Sequence, residues 1–228
     1  MSFFENLAFI KANTAFNARN YDKALEIYKK ACSKKKAGNG IKLSYASTLI
    51  YLGKADTCKE VLDNIDYASL SEDRFKITYR ETEGRYLWKI GKIDEAIDTY
   101  KNLLNDFKTT SIYETLGYLL IVGKRYEEAL ELNLEAKDYD SNNVILDNLA
   151  QSYYYLNQKE EAFKIYQNII DEAEKKPNFS EPYYYYGLLL KENGNVDEAN
   201  NCFEKALTFN ESNLSIISHE MIKAQIQK

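Results

Sequence analysis

The sequence predicts an all-α fold built from repeated pairs of helices, and three observations predict it. Apolar residues recur at spacings of three and four in segments of about a dozen residues, which is the period of an amphipathic helix. The strand pattern, in which apolar and polar residues alternate and β-branched side chains abound, is almost absent. Only two of the 228 residues are proline, Pro177 and Pro182.

The charge balance argues against several classes of partner. The net charge is −5, whereas phosphate binding needs a clustered excess of lysine and arginine. We therefore expect no nucleic-acid partner, and we interpret the one basic cluster, "SKKKAG" at 33–38, as a solvated loop. No apolar run approaches the roughly 20 residues of a membrane helix, so no membrane partner is expected.

The cysteines and the start of the chain favour a cytoplasmic location. Cys32, Cys58 and Cys202 are odd in number and far apart, which fits neither a disulfide framework nor a metal-binding pair. The start, "MSFFENLAFIKAN", lacks the basic flank and the cleavage site of a signal peptide.

Two sets of small residues recur along the chain. The first stands in six similar segments, such as "NYDKALEIYKKA" and "NVDEANNCFEKA", at intervals of 33 to 38 residues; its members are Ala24, Cys58, Ala96, Ala129, Ala162 and Ala199. The second stands twelve residues before the first; its members are Ala12, Ala46, Gly84, Gly117, Ala150 and Gly187. Small residues at two matched positions indicate two helices that cross closely, because larger side chains would force the helices apart.

This pattern resembles the tetratricopeptide repeat (TPR), a helix–turn–helix unit of 34 residues. The resemblance implies a right-handed superhelical solenoid. It places the set that begins with Ala12 at repeat position 8, on the first helix (helix A). The set that begins with Ala24 stands at position 20, on the second helix (helix B). Position 24 should be bulky, and it is in five repeats, with Asn133 as the exception. Two departures are the missing proline near position 32 and the missing aromatic residue at position 4 of the first three repeats.

The resemblance predicts a single solenoid over residues 1–228. The repeats fall at approximately 5–38, 39–76, 77–109, 110–142, 143–179 and 180–213, with extra residues around 66–76 and 172–182. Residues 214–228 are predicted to form a capping helix, with Leu214, Ile217, Met221 and Ala224 on one stripe. Glycines are expected to take the left-handed conformation that ends helix A; these are Gly53, Gly91, Gly123 and Gly194.

The stretch "EPYYYYGLLL" at 181–190 contains four consecutive tyrosines. On a helix they point in four directions, each turned by about 100° from the last. Tyr183 and Tyr186 are predicted to pack inside the stack and Tyr184 to face the concave groove. Tyr185 is expected against the neighbouring repeat or in solvent.

No group of residues predicts catalysis, a cofactor or a metal site, and we expect no enzyme. None of the common nucleotide, hydrolase or zinc-protease motifs occurs. The single histidine, His219, lies in the terminal segment, and we interpret it as structural. Acidic pairs such as those in "YEEA" stand at the start of helix B, where carboxylates favour the positive end of the helix dipole.

The function must then lie on the surface that the repeats create. In TPR proteins positions 2, 5, 9 and 12 of helix A line the concave face. Carrying these positions over predicts a groove that presents Phe9, Asn13, Phe16, Glu81, Arg85, Trp88, Glu114, Tyr118, Asp147, Gln151, Tyr154 and Tyr184. The alternative is that Phe9, Phe16 and Trp88 are partly buried by adjacent repeats.

The resulting functional hypothesis is an adaptor or scaffold that holds a protein or peptide partner in the groove. A regulatory subunit or peptide-responsive sensor that acts through flexing of the solenoid is the alternative. RNA binding is a third interpretation, which the net charge and the acidic groove residues disfavour.

One class of partner is excluded by residue type. TPR proteins that grip the free C-terminal carboxylate of chaperone tails use a clamp of lysine, arginine and asparagine. The matching residues here are Phe9, Asn13, Ser44, Thr78 and Thr82. Because the cations are missing, we predict that the protein does not bind chaperone C-terminal tails.

Overall fold

The computed structural model describes residues 2–34, 37–172 and 174–226, and within these ranges it contains helices and no strand. Twelve α-helices form six consecutive pairs and a short thirteenth follows. In chain order they are α1 (Phe3–Asn17), α2 (Tyr21–Cys32), α3 (Asn39–Tyr51), α4 (Ala55–Asp63), α5 (Asp73–Lys89), α6 (Ile93–Asp106), α7 (Thr110–Val122), α8 (Tyr126–Tyr139), α9 (Asn143–Tyr155), α10 (Lys159–Gln167), α11 (Glu181–Glu192), α12 (Val196–Leu207) and α13 (His219–Lys223). The predicted all-α solenoid of helix–turn–helix pairs is confirmed.

The chain divides into two compact units, residues 1–107 and residues 108–228. The first unit holds three helix pairs, in which α1 packs on α3 and α3 on α5. The second unit holds three further pairs and α13, with α7 packed on α9 and α9 on α11. A single solenoid over the whole chain, with its right-handed twist, stays a prediction.

The small residues at the crossings pack as the spacing predicts. All twelve are buried, and the glycines on helix A receive the side chains at position 24 of helix B. A Cβ atom on Gly84 would lie 2.5 Å from the Tyr100 ring, and one on Gly187 would lie 2.6 Å from the Phe203 ring. Real Cβ atoms do not approach other atoms so closely, so the ring of helix B fills the space that a side chain on helix A would need.

The turn between helices A and B has one residue in the left-handed conformation in every repeat. It always lies five residues before the small residue at position 20. Three of these residues are glycine, namely Gly53, Gly91 and Gly194, and three are not, namely Arg19, Lys124 and Asn157. The prediction for Gly123 is wrong. Its φ is −75°, and Lys124, one residue later, takes the left-handed conformation at 59°.

The extra residues between repeats carry short irregular helices. A 3₁₀ turn, Tyr67–Ser69, lies in the first insertion, where the Asp66 side chain caps it by accepting from the Ala68 N–H. A π-helical stretch, Asn168–Glu172, continues α10 into the second insertion, of which residue 173 lies outside the described residues.

The capping-helix prediction for residues 214–228 is wrong in its extent. Residues 209–218 are not helical, and α13 covers five residues, with Ser218 as its N-cap. Ile217 and Ile222 are buried, whereas Met221 and Ala224 of the predicted stripe are exposed; residues 227 and 228 lie outside the described residues.

The reason for this difference is local hydrogen bonding by serine. The Ser212 Oγ accepts from the Leu214 N–H at 3.0 Å, and the Ser215 Oγ accepts from the Ile217 N–H at 3.0 Å. Such bonds give the backbone an alternative to the helix. The apolar period of residues 214–224 therefore does not become a helical stripe.

Candidate partner-binding faces

Helix A of each repeat presents the stripe on which the groove residues were predicted. In the first unit, Phe9, Asn13 and Phe16 follow one another along α1 at helical spacing, and Glu81, Arg85 and Trp88 do so along α5. These six residues, which we call the first face, are all half-buried. Helix α3 packs between them and contributes the buried Leu43 and Ile50.

Tyrosines at position 24 of helix B reach through to the first face. The Tyr28 hydroxyl donates to the Asn13 Oδ1 at 2.8 Å, and the Tyr100 hydroxyl donates to the Glu81 carbonyl oxygen at 3.1 Å. Burial raises the pKa of Tyr28 to about 12, so this phenol stays protonated and remains a donor. These bonds tie helix A to helix B behind the face and fix the orientation of the stripe.

The aromatic residues of the first face differ in how much surface they present. Phe9 packs against the core of the first unit. The Phe16 ring lies 5.2 Å from the Tyr21 ring and 5.3 Å from the Tyr51 ring. Beside the Trp88 ring lies the Lys89 ammonium, 5.3 Å from its centroid. Phe9 and Phe16 therefore also serve the packing of their repeats, as the alternative interpretation expected.

In the second unit the same stripes run along α7, α9 and α11. Their predicted groove residues, which we call the second face, are Glu114, Tyr118, Asp147, Gln151, Tyr154 and Tyr184. Asp147, Gln151 and Tyr184 are exposed by 2%, 0% and 6% respectively. These three residues were expected to line an open groove, and the structure buries them instead. Glu114, Tyr118 and Tyr154 are half-buried.

Residues 209–226, which we call the C-terminal segment, lie against the second face. The Ile216 N–H donates to the Tyr118 hydroxyl oxygen at 2.9 Å, and the Lys191 ammonium donates to the Gln225 carbonyl oxygen at 2.9 Å. Tyr118 belongs to α7 and Lys191 to α11, the helices on either side of α9. The segment therefore crosses the helix that carries Asp147 and Gln151.

The apolar side chains of the C-terminal segment complete the core of the second unit. Ile217 and Ile222 are buried in the same cluster as Tyr184 and Phe203. The segment is thus an integral layer of this unit, and sequence reasoning missed it. The available signal was the serine and asparagine content of residues 210–218, which disfavours the helix that the apolar period predicts.

A buried acidic group lies on α9 at the second face. Its carboxylate accepts from two neutral donors, the Tyr166 hydroxyl to Oδ1 at 3.0 Å and the Gln151 amide to Oδ2 at 2.8 Å. Burial raises the pKa of this residue, Asp147, well above its usual range, and the nearby Glu181 carboxylate raises it further. The Gln151 Oε1 is buried and accepts no hydrogen bond within the described part of the chain.

All four tyrosines of the 183–186 run are buried. The Tyr183 hydroxyl donates to the Pro177 carbonyl oxygen at 3.2 Å, and the Tyr186 hydroxyl donates to the Asp171 carboxylate at 2.8 Å. Tyr185 contacts the neighbouring repeat, with its hydroxyl 2.7 Å from that of Tyr155. The run therefore serves packing at every position, including Tyr184, which was predicted to face the groove.

The reactive side chains are held in structural roles. The His219 Nε2 lies 2.8 Å from the Phe209 carbonyl oxygen and ties the C-terminal segment together. Burial raises the pKa of the Cys58 thiol to about 12 and that of the Cys32 thiol to about 11, so both stay protonated at neutral pH.

Neither a metal cluster nor a membrane-spanning helix occurs among the described residues. They contain no group of three or more His, Cys, Asp or Glu side chains that could hold a metal ion. Among the same residues, no helix combines the length and the apolar character that a membrane span requires.

Comparison with known protein families identifies the family of the chain. Family models described as tetratricopeptide repeat match residues 82–143, 146–174 and 180–213, which together make up more than half of the chain. The chain belongs to the TPR family. The TPR fold is a scaffold for protein–protein interaction, and this protein shares it.

Individual relatives agree with this assignment. A TPR repeat-containing protein of Methanocaldococcus jannaschii is 29% identical over 126 residues, which cover 55% of this chain and 22% of the relative. The chain thus spans about a fifth of the length of that relative.

Solved structures of other TPR proteins share the fold. A thermophilic TPR protein of Thermus thermophilus matches with a TM-score of 0.62 and 16% identity over 75% of this chain and 91% of that one. A TPR protein of Parabacteroides merdae matches with a TM-score of 0.56 and 13% identity over 99% of this chain and 98% of that one. YrrB, described as a TPR protein with an unusual peptide-binding site, matches with a TM-score of 0.51 and 15% identity over 86% of this chain and 96% of that one.

Proposed function

We propose that this TPR protein is an adaptor that binds a segment of a partner protein on the first face and carries no catalytic chemistry of its own. The observation that supports this most strongly comes from the second face. There the same helix-A stripes already hold a non-helical segment of the chain through the hydrogen bond between Ile216 and Tyr118. In the first unit the α1 and α5 stripes remain half-exposed, although Leu43 and Ile50 on α3 between them are buried. The description of YrrB as peptide-binding supports the same function.

The chemistry of the first face favours an internal segment with an apolar anchor. Trp88, the only tryptophan of the chain, has Glu81 and Arg85 on its own stripe. Tryptophan and arginine are the residue types that contribute most to binding at protein interfaces. The partner segment therefore places an apolar side chain on the Trp88 ring and polar or charged groups along Glu81 and Arg85.

Trp88 also makes the proposal directly testable. Peptides selected from a random library on the purified protein are titrated against it while the tryptophan emission is followed, which reports from this one side chain. Ligands of the first face shift or quench the emission. Trp88→Ala, followed by calorimetry, weakens their binding by about 30-fold, which corresponds to roughly 2 kcal/mol.

Phe4→Ala is the matched control, since Phe4 lies on α1 away from the stripe and its ring is 68% exposed. We expect this variant to bind the selected peptides as the unchanged protein does. Peptides that bind Trp88→Ala with unaltered affinity would move the site away from the first face and contradict the proposal.

A further inference from the structure

We propose that the second face is a separate peptide-binding site that the C-terminal segment occupies in the free protein. Its external ligand is a non-helical segment of a partner protein in which a lysine or arginine stands next to a branched aliphatic residue. This site lies in the second unit and shares no residue with the first face, so the two proposals stand or fall separately.

The C-terminal segment is bound in the manner of a peptide ligand. It enters as a non-helical stretch, one backbone N–H reaches the Tyr118 hydroxyl, and two isoleucine side chains, Ile217 and Ile222, are buried. The residue before Ile217, Ile216, keeps 38% of its surface exposed. The segment is therefore anchored at two apolar positions, of which only Ile217 lies in the non-helical stretch, and a similar segment of another protein can take the place of that stretch.

The backbone of the C-terminal segment does not depend on the second face for its other hydrogen bonds. The N–H groups of Leu214 and Ile217 donate to the side chains of Ser212 and Ser215 within the segment. These bonds persist when the segment leaves the face. Release therefore costs the contacts of Tyr118, Lys191 and the buried isoleucines, while the local turns remain intact.

The polar groups beneath the segment predict a basic ligand. Asp147 is buried with only neutral donors, the Glu181 carboxylate acts on it, and the Gln151 Oε1 is buried without a donor. A buried acceptor without a donor costs stability, since it has lost its hydrogen bonds to water. Ser215, Ile216 and Ile217, which lie at this point of the segment, bring no positive charge.

A lysine or arginine side chain supplies both missing elements. Its N–H groups donate to the Gln151 Oε1, and its charge pairs with the Glu181 carboxylate and with Asp147, which gives up its proton to solvent when the cation binds. A charge-assisted hydrogen bond of this kind is stronger than a neutral one. Its aliphatic neighbour takes the place of Ile217. An external segment of this composition therefore binds more tightly than a copy of the C-terminal segment does.

The experiment compares a bound and a released C-terminal segment. Ile217→Ser removes the buried isoleucine of the non-helical stretch, and Met221→Ser, at an exposed position of the same segment, is the matched control. The probes are fluorescein-labelled synthetic copies of residues 209–226, one unsubstituted and five with lysine in turn at positions 214 to 218. Binding is followed by fluorescence anisotropy, and circular dichroism checks that each variant is folded.

We expect Ile217→Ser to bind the probes at least tenfold more tightly than the unchanged protein and Met221→Ser do, because its own segment no longer competes. At least one lysine probe should bind tenfold more tightly than the unsubstituted copy. Adding Asp147→Asn to Ile217→Ser should remove this preference. If Ile217→Ser does not fold, Ile222→Ser, which removes the other buried isoleucine of the segment and leaves the face unchanged, provides a second release.

Two outcomes overturn the proposal. The first is a released variant that binds no probe, or that binds the lysine probes no more tightly than the unsubstituted copy. The second is a dimer of the unchanged protein in analytical ultracentrifugation that Ile217→Ser abolishes, since this assigns the second face to the C-terminal segment of a second copy. A Trp88→Ala variant should leave all of these affinities unchanged.

Discussion

At the residue scale, Asn133 shows how the crossing accommodates a polar side chain where the repeat calls for a bulky apolar one. Its amide donates to the Ser152 Oγ at 3.1 Å, and Ser152 in turn donates to the Asn148 carbonyl oxygen at 2.8 Å. The Asn148 amide continues to the Glu114 carbonyl oxygen at 2.8 Å. This buried chain of hydrogen bonds joins α8, α9 and α7. It replaces the apolar packing that Tyr100 and Phe203 provide elsewhere.

Gly117 is the position at which this arrangement is most sensitive to substitution. A Cβ atom there would overlap the Asn133 side chain. We expect Gly117→Ala to lower the free energy of unfolding by about 1–3 kcal/mol, since overpacking forces shifts in a well-packed core. Asn133→Ala should restore part of this loss in the double variant. Glu131→Gln, an exposed change on α8, should stay within about 0.5 kcal/mol. Equal urea midpoints for Gly117→Ala and Glu131→Gln would contradict the crossing geometry.

Asp147 predicts a dependence of stability on pH. Its pKa is raised in the folded state, so folding favours the protonated form. The stability that this form contributes is complete below the unfolded pKa of about 3.9 and is lost as the pH rises through the folded pKa. Asp147→Asn mimics the protonated form and does not titrate.

We therefore expect the stability of Asp147→Asn relative to the unchanged protein to increase with pH above about 4, and to be greater at pH 8 than at pH 4. Urea unfolding at a series of pH values measures this difference, and it cancels the titration of groups that both proteins share. Parallel pH profiles would show that Asp147 is not held in its protonated form.

At the element scale, the six turns between helices A and B show which parts of the fold depend on backbone conformation alone. Each needs one left-handed residue, and three of the six do not use glycine. A left-handed conformation costs residues other than glycine roughly 1 kcal/mol, because Cβ crowds the carbonyl oxygen. The turns therefore form wherever the packing of the flanking helices offsets this strain.

Two substitutions in these turns should change the free energy of unfolding in opposite directions. Lys124→Gly should raise the free energy of unfolding by about 0.5–1 kcal/mol, because glycine takes the φ of 59° without strain. Gly91→Ala should lower it by about 1 kcal/mol from backbone strain alone, since nothing lies within 4 Å of a Cβ atom at that position. Thermal unfolding measures both. A destabilised Lys124→Gly would mean that the lysine side chain contributes more than its backbone costs.

The helices and their pairing could be predicted from the sequence because their signals are local and repeated. Small residues at fixed spacing mark each crossing, and Ala24 or Ala96 is buried as the spacing requires. The path of the C-terminal segment could not be predicted in the same way. Its apolar period favours a helix, whereas Ser212 and Ser215 stabilise turns, and the contact of Ile216 with Tyr118 joins residues 98 positions apart.

At the scale of the whole molecule, the two units present the same helix-A stripe in two different states. The first face is half-exposed, and the second face is covered by part of the chain itself. The repeat pattern predicts the stripe in both units, because it depends on positions within a repeat. It cannot predict which stripe is covered, because that depends on residues outside the repeats. The flanking helices also contribute to the burial of Asp147 and Gln151, because Leu43 and Ile50 on the central helix of the first unit are equally buried.

The absence of chaperone-tail binding is predicted from the first unit. A clamp for a terminal carboxylate needs cationic donors directed to the face. At the matching positions, the hydroxyls of Ser44, Thr78 and Thr82 instead donate to carbonyl oxygens of their own helices, at 2.9, 2.8 and 2.7 Å. Asn13 keeps the residue type of the clamp, and its Oδ1 accepts from Tyr28, but the amide group that would donate to a carboxylate is neutral. A carboxylate placed here would lose its hydration without gaining a cation, which is unfavourable.

We therefore expect calorimetry with a chaperone-tail peptide to show no binding that depends on its free C-terminus. The same peptide with an amidated C-terminus is the control, since it differs only in the terminal charge. The free form should bind no more tightly than the amidated form, because Glu81 on the first face disfavours an additional negative charge. Micromolar binding of the free form that amidation abolishes would contradict the prediction. It would require a cation other than Arg85 to approach the face, since a single arginine does not replace the several donors of the clamp.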